Sequence, residues 1–139
     1  MTRTLCAPAI LDGVGLHGGQ PARVEIRPAR AGTGIVFQRA DWPGASGIVP
    51  ALFDRVVDTR LCTRIANTHG ASVSTIEHLM AALAACGVSD AVVRVNGPEV
   101  PIMDGSALPF VEAIRAAGLR RLARPRRAIG IRRSVRVTD

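Results

Sequence analysis

The segment 72–87, Ser-Val-Ser-Thr-Ile-Glu-His-Leu-Met-Ala-Ala-Leu-Ala-Ala-Cys-Gly, limits the folds open to this chain more than any other. Ser74 followed three residues later by Glu77 has the spacing of a capping box, and Gly87 stands where a helix-ending glycine belongs. A short helix is expected. Ile76, Leu79, Met80 and Leu83 recur at helical spacing, while Ala81, Ala82 and Ala85 keep the other sides small and apolar, so no charged stripe faces water. Such a helix should be buried on most sides. Its first turn nonetheless holds a carboxylate, Glu77, and an imidazole, His78, close to backbone N–H groups that the helix leaves unused.

Patterns elsewhere supply a sheet for this helix to pack on. Residues 4–11 read as a strand ended by the glycine turn at Gly13 and Gly15, which His17, Gly18 and Gly19 extend. Residues 22–27 alternate Val24 and Ile26 with Arg23, Glu25 and Arg27, a strand with one wet face, and 34–39 reads as its hairpin partner. The stretch 41–49 reads as loop, 51–58 is ambiguous, 60–66 is a strand, and 71–73 a short one. Residues 90–95 form a β-branched strand. A second helix is expected from a cap at Ser106 to about residue 117, with Pro109 in its first turn, Phe110 and Ile114 facing inward, and Gly118 as the stop. Two helices and five or more strands in mostly antiparallel order imply an α+β two-layer sandwich, the helices packed on one face.

Length and charge refine the organisation. With 139 residues, one domain with a real core is available. No apolar run is long enough to span a bilayer and no leader peptide is evident, so the expected location is cytoplasmic, with no transmembrane segment. Cys6, Cys62 and Cys86 are odd in number and form no CxxC pair, so they are expected to be small buried hydrophobes. The net charge of +7 is unevenly placed: residues 1–118 hold ten Arg and ten Asp or Glu, whereas 119–139 hold eight Arg against Asp139 alone. Residues 1–118 are therefore expected to be the folded domain and 119–127 an Arg-rich linker. The stretch 128–139 reads as a lone strand that would open a second domain.

Glu77 admits a bland explanation as a capping-box acid, and His78 one as a hydrogen-bonded core histidine. Adjacent helical residues lie about 100° apart, but at an exposed first turn both can reach one opening. An imidazole ligand beside a carboxylate that activates water is the division of labour of a zinc hydrolase, which needs about three protein ligands. The other candidate donors are His17, His69, Cys62, Asp58 and Asp104, and none has HxxxH or HxxxD spacing. His69, in a polar turn, reads as surface. Bottom-up reasoning thus gives half a site.

Five motifs in order, Gly13-Val-Gly-Leu-His17, Asp58-Thr-Arg-Leu-Cys-Thr63, Ser74-Thr-Ile-Glu-His-Leu79, Asn96-Gly-Pro-Glu99 and Pro101-Ile-Met-Asp-Gly-Ser106, resemble the N-terminal half of the UDP-3-O-acyl-N-acetylglucosamine deacetylase family. These are zinc amidases that commit the pathway to lipid A. The resemblance runs from about residue 4 to 137. It implies two similar α+β domains with the site between them, His78 as a zinc ligand, and Glu77 as the general base toward the attacking water. Leu61, Cys62 and His17 would line the substrate region, and Asp104 would be mainly structural. The remaining zinc ligands, a His and an Asp four residues apart, and an acid-assisting His would come from the second domain, so this chain alone is expected to be inactive.

A reading of another class is a noncatalytic remnant that binds through its basic tail. No aromatic residue is interleaved with those arginines, which favours a solvated linker and no nucleic-acid partner. Self-association through the face meant for the second domain is a further expectation.

Overall fold

The computed structural model describes residues 1–126 and 128–138. Along the chain run β1 (Arg3–Leu5), β2 (Ala9–Val14), β3 (Pro21–Pro28), β4 (Ile35–Arg39), β5 (Ile48–Pro50), β6 (Val56–Asp58), β7 (Arg64–Ala66) and β8 (Ser72–Val73). Then follow α1 (Glu77–Ala85), β9 (Ala91–Val95), α2 (Leu108–Ala117) and β10 (Leu119–Arg121). The main sheet has the order β2-β3-β9-β4-β5 and is antiparallel except between β4 and β9. Its inner face buries Leu11, Val24, Ile26, Phe37, Val49, Val93 and Val95 against Leu79, Leu83, Phe110 and Ile114 of the helices. Its outer face carries Arg23, Glu25 and Arg94. This is the α+β architecture expected, with both helices on one side.

Several elements differ from expectation for identifiable reasons. The single strand over 4–11 is two strands in different sheets. The chain turns at 6–8, where the Cys6 N–H donates to the Gly118 carbonyl (2.9 Å) and Pro8 has no N–H to donate. β4 does not pair with β3 as a hairpin, because β9 lies between them. Buried Asp90, just ahead of β9, accepts hydrogen bonds from the Gly32 and Gly34 N–H groups (2.7 and 3.0 Å) and so pins the connection that a hairpin would have used. The loop over 41–49 contains a 3-10 turn and the start of β5.

Helix α1 ends as expected: the Val88 N–H donates to Leu83 and the Gly87 N–H to Ala84, a Schellman closure with Gly87 at φ +70°. It is less buried than its composition implies, since Ala81, Ala84 and Ala85 are exposed. Small side chains permit burial without enforcing it. None of the cysteines is buried: Cys6 is exposed, and Cys62 and Cys86 are half-buried.

The segment 119–127 is not all linker. Residues 119–121 pair with β1, Leu122 is buried, and the Thr2 N–H donates to the Arg124 carbonyl (2.8 Å). Strand propensity and one apolar anchor outweigh the local charge there. Among the described residues 128–138 no strand forms, and Ile129, Ile131, Val135 and Val137 are exposed, because an isolated strand gains no ladder or apolar cover. Arg127 and Asp139, the ends of the expected linker and strand, lie outside the described residues.

A three-stranded sheet, β6-β7-β8, is tied to the edge of the main sheet by polar contacts. Arg39, at the end of β4, donates to the Ser72 carbonyl (2.6 Å) and pairs with Asp41 (2.6 Å), while Asn67 donates to the Ser46 and Ile48 carbonyls. Because Phe110 and Leu79 join helices to sheet, Phe110→Ala should cost about 3–5 kcal/mol and Leu79→Ala about 2–5 kcal/mol in urea unfolding. Ala84→Ser on the exposed face should stay within about 0.5 kcal/mol. Equal losses at all three positions would contradict this placement of the core.

Candidate active-site cleft

The approach to α1 departs from the capping-box geometry. Ser74 is held as a one-residue parallel bridge to Glu99: its N–H donates to the Pro98 carbonyl (2.8 Å) and its carbonyl accepts from the Val100 N–H (3.1 Å). Thr75 then takes φ +58°, and the helix begins two residues later, with Ile76 as N-cap and no capping side chain. Left-handed backbone is unusual for a β-branched residue and marks a position over-determined by its surroundings. With Ser74 so engaged, its hydroxyl accepts from Arg64 Nε (3.0 Å) and Glu77 turns elsewhere, accepting from the Thr63 N–H.

That contact ties Glu77 to Thr63, the residue after Cys62, and Cys62 helps to line a cleft of about 760 Å³. Lining it are His17, Leu61, Cys62, Arg60, Arg64 and Glu99, among others, so three of the expected site residues share one wall. Leu61 is 85% exposed, an apolar side chain offered to the opening. Glu77 and His78 are not lining residues. Both are half-buried, and Glu77 reaches the cleft wall through Thr63, next to Cys62. His69 is exposed, in a turn where the Asn67 carboxamide oxygen accepts from its N–H (2.9 Å).

Glu99 has no assigned role in the sequence motif that contains it, yet it ties the cleft's glycine loop to the approach to α1. It is buried, at 8% exposure, and its carboxylate accepts from the His17 N–H (2.9 Å), the Gly18 N–H (2.8 Å) and the Thr75 hydroxyl (2.9 Å). A side chain at Gly15 would collide with that carboxylate, so glycine is required there by close approach. The signal that could have found Glu99 is an acid inside an otherwise apolar turn, opposite a glycine-rich loop with free N–H groups.

Electrostatics keep these acids ionised. Burial alone would raise the Glu77 carboxyl, but hydrogen bonding from Thr63 and its own N–H, with the neighbouring His78, holds it below the usual glutamate value. For Glu99, burial is likewise outweighed, by the His17, Gly18 and Thr75 donors and the His17 side chain. Asp104 is lowered chiefly by its hydrogen bonds with Ser106, with a lesser contribution from His78. Among the described residues no three His, Cys, Asp or Glu side chains converge on one point. The donors present do not fit a complete zinc site.

An α+β sandwich presenting an ionised acid and an imidazole beside a mixed polar and apolar cleft has the equipment of a hydrolase. A family profile described as UDP-3-O-acyl N-acetylglycosamine deacetylase matches residues 2–139. The UDP-3-O-acyl-N-acetylglucosamine deacetylase of Phenylobacterium zucineum (strain HLK1) is 52% identical over 136 residues, 98% of this chain and 46% of that protein. The proteins of the same name from Geotalea uraniireducens (strain Rf4) and Shewanella sp. (strain ANA-3) are 50% and 48% identical, each covering 99% of this chain and 44% of the relative. The chain belongs to the UDP-3-O-acyl-N-acetylglucosamine deacetylase family, a family of hydrolases, and spans about half the length of these curated relatives.

The Glu99 network has a pH signature. A carboxyl depressed below its usual 4.5 in the native state gives stability that is complete above that value and is lost as pH falls through the lower native one. As pH is lowered through and below 4.5, the melting temperature of the wild-type chain should therefore fall more steeply than that of Glu99→Gln. Parallel curves in a thermal-unfolding series would contradict the hydrogen-bond account.

Proposed function

We propose that this chain supplies the first half of a deacetylase site that hydrolyses the acetamide of UDP-3-O-acyl-N-acetylglucosamine, the committing step toward lipid A. The observation that carries this reading is the gathering of His17, Leu61 and Cys62 on one cleft, with the Glu77 carboxylate bonded to the N–H of Thr63, the residue next to Cys62. Family membership supplies the substrate class, since the relatives are named for it.

In this reading Glu77 is the general base. Its lowered pKa keeps it ionised at neutral pH, and the Thr63 N–H fixes its orientation, so it is ready to take a proton from an attacking water. His78 is one donor to a zinc ion, and the other donors lie outside the residues described. His17, Leu61 and Cys62 contact substrate, with Leu61 offering apolar surface and His17 a polar edge. Asp104 is chiefly structural, accepting from the Ser106 N–H and hydroxyl (2.9 and 2.8 Å) to shape the turn into α2. The location consistent with a nucleotide-sugar substrate is the cytoplasm, and no helix among the described residues is long and apolar enough to cross a membrane.

With the site half supplied, the chain alone should be inactive. Deacetylation, followed as free amine released from UDP-3-O-acyl-N-acetylglucosamine, should be undetectable for the 139-residue protein and should appear when the second half of the Phenylobacterium relative is fused or added. In that assembly Glu77→Gln should lower kcat by about 10²–10⁴-fold with little change in KM. Turnover by the isolated chain, or an unaffected Glu77→Gln assembly, would contradict the proposal.

A further inference from the structure

The segment before α1 and the glycine loop after β2 meet at a single side chain, and that meeting has a role beyond holding the fold. The hydrogen bonds described within the loop, Gly15 N–H to Gln20 and Gly19 N–H to Gly15, close it on itself. Its polar ties to the body pass through Glu99, which receives the N–H groups of His17 and Gly18. The same carboxylate receives the hydroxyl of Thr75, the residue in left-handed backbone two positions ahead of Glu77. The core around it is otherwise held mainly by apolar contacts. Here a buried acid links the loop that carries His17 into the cleft with the turn that aims Glu77 and His78.

We propose that Glu99 is a positioning residue: its carboxylate, by clasping the His17 loop and Thr75 together, sets where His17 stands relative to the Glu77–His78 turn. The inference rests on the functional reading above for its catalytic consequence, but its structural part does not. Thr75 is the communicating element, because a hydroxyl bond and a strained φ at one residue fix the direction in which the chain enters α1. If the clasp opens, Thr75 can relax and the first turn re-aims while the Leu79 and Leu83 packing persists. Loss of aim without loss of fold is the expected phenotype.

The test uses the 139-residue protein and two changes at one position, the isosteric Thr75→Val and the hydroxyl-retaining Thr75→Ser, with Glu99→Gln as a third variant. Thr75→Val removes the hydroxyl and keeps the branched shape; Thr75→Ser keeps the hydroxyl. Amide exchange and imidazole resonances are read by NMR beside the melting temperature. In Thr75→Val the exchange protection of the His17 and Gly18 amides should fall about five- to tenfold, the equivalent of one hydrogen bond, and the His78 imidazole resonances should move. Melting should fall by no more than the loss of one hydrogen bond implies, with unfolding still cooperative, and Thr75→Ser should restore both signals. Glu99→Gln should give the same changes in larger measure. If Thr75→Val leaves the His17 amide and the His78 ring as in the wild type, or if melting falls in proportion to lost protection and Thr75→Ser does not restore it, the proposal is overturned. In the two-half assembly Thr75→Val should lower kcat about tenfold or more with KM within about twofold. An assembly with wild-type residues that never deacetylates would sink the functional reading while leaving the NMR coupling standing.

Discussion

A buried carboxylate with three donors, Glu99, is the constraint to which the functional end of the molecule is fitted. Glycine at position 15, the reversed φ at Thr75, the late start of α1 and the unused capping box all trace to its presence and to the backbone bridge it makes with Ser74. Magnitudes make the arrangement sustainable. Hydrogen bonds to a charged acceptor contribute on the order of 1.5–3 kcal/mol each, which offsets the roughly 1–3 kcal/mol that a left-handed threonine costs. An apolar residue at 99 would leave the His17 and Gly18 N–H groups without those partners and Thr75 without its hydroxyl bond.

The main sheet has a different logic. Its inner face is filled by β-branched residues and Phe37, and the outer face is wet, so two helices suffice to cover it. Most of this was readable because the pattern is local: Val24 and Ile26 alternate with charged neighbours, and Phe110 and Ile114 share a helix face that Gly118 ends. What could not be read is pairing. β9 inserts between β3 and β4 through a long-range contact of Asp90 with Gly32 and Gly34, and nothing in the local spacing of either segment announces it. The break at residues 6–8 was hidden for the same reason, since the Cys6 N–H finds its acceptor at Gly118, more than a hundred residues away.

The site was half readable. The adjacency of Glu77 and His78 and the glycine loop with His17 stand out in one dimension, Cys62 stands out only as a candidate donor, and a substrate-lining role for Leu61 and Cys62 comes from resemblance alone. The structure gathers His17, Leu61 and Cys62 into one cleft, whereas Glu77 and His78 are half-buried and not among its lining residues. The capping-box reading failed because a tertiary bridge occupied Ser74, and the cysteine reading failed because composition does not say which small residues face outward. Arg60 stands inside one of the motifs without a role of its own and Arg64 carries no sequence signal, yet both line the cleft; Asp58 pairs with the first (2.8 Å) and Ser74 accepts from the second.

The central claim is that the chain presents an aimed acid–imidazole pair belonging to an unfinished centre. It is tested most directly by titrating the isolated protein with zinc while following its three histidines by NMR. The account predicts that the His78 resonances respond, without saturating under a large molar excess, because one imidazole cannot replace about three ligands. A sharp endpoint at one zinc per chain, or a response that leaves His78 unmoved, would contradict it.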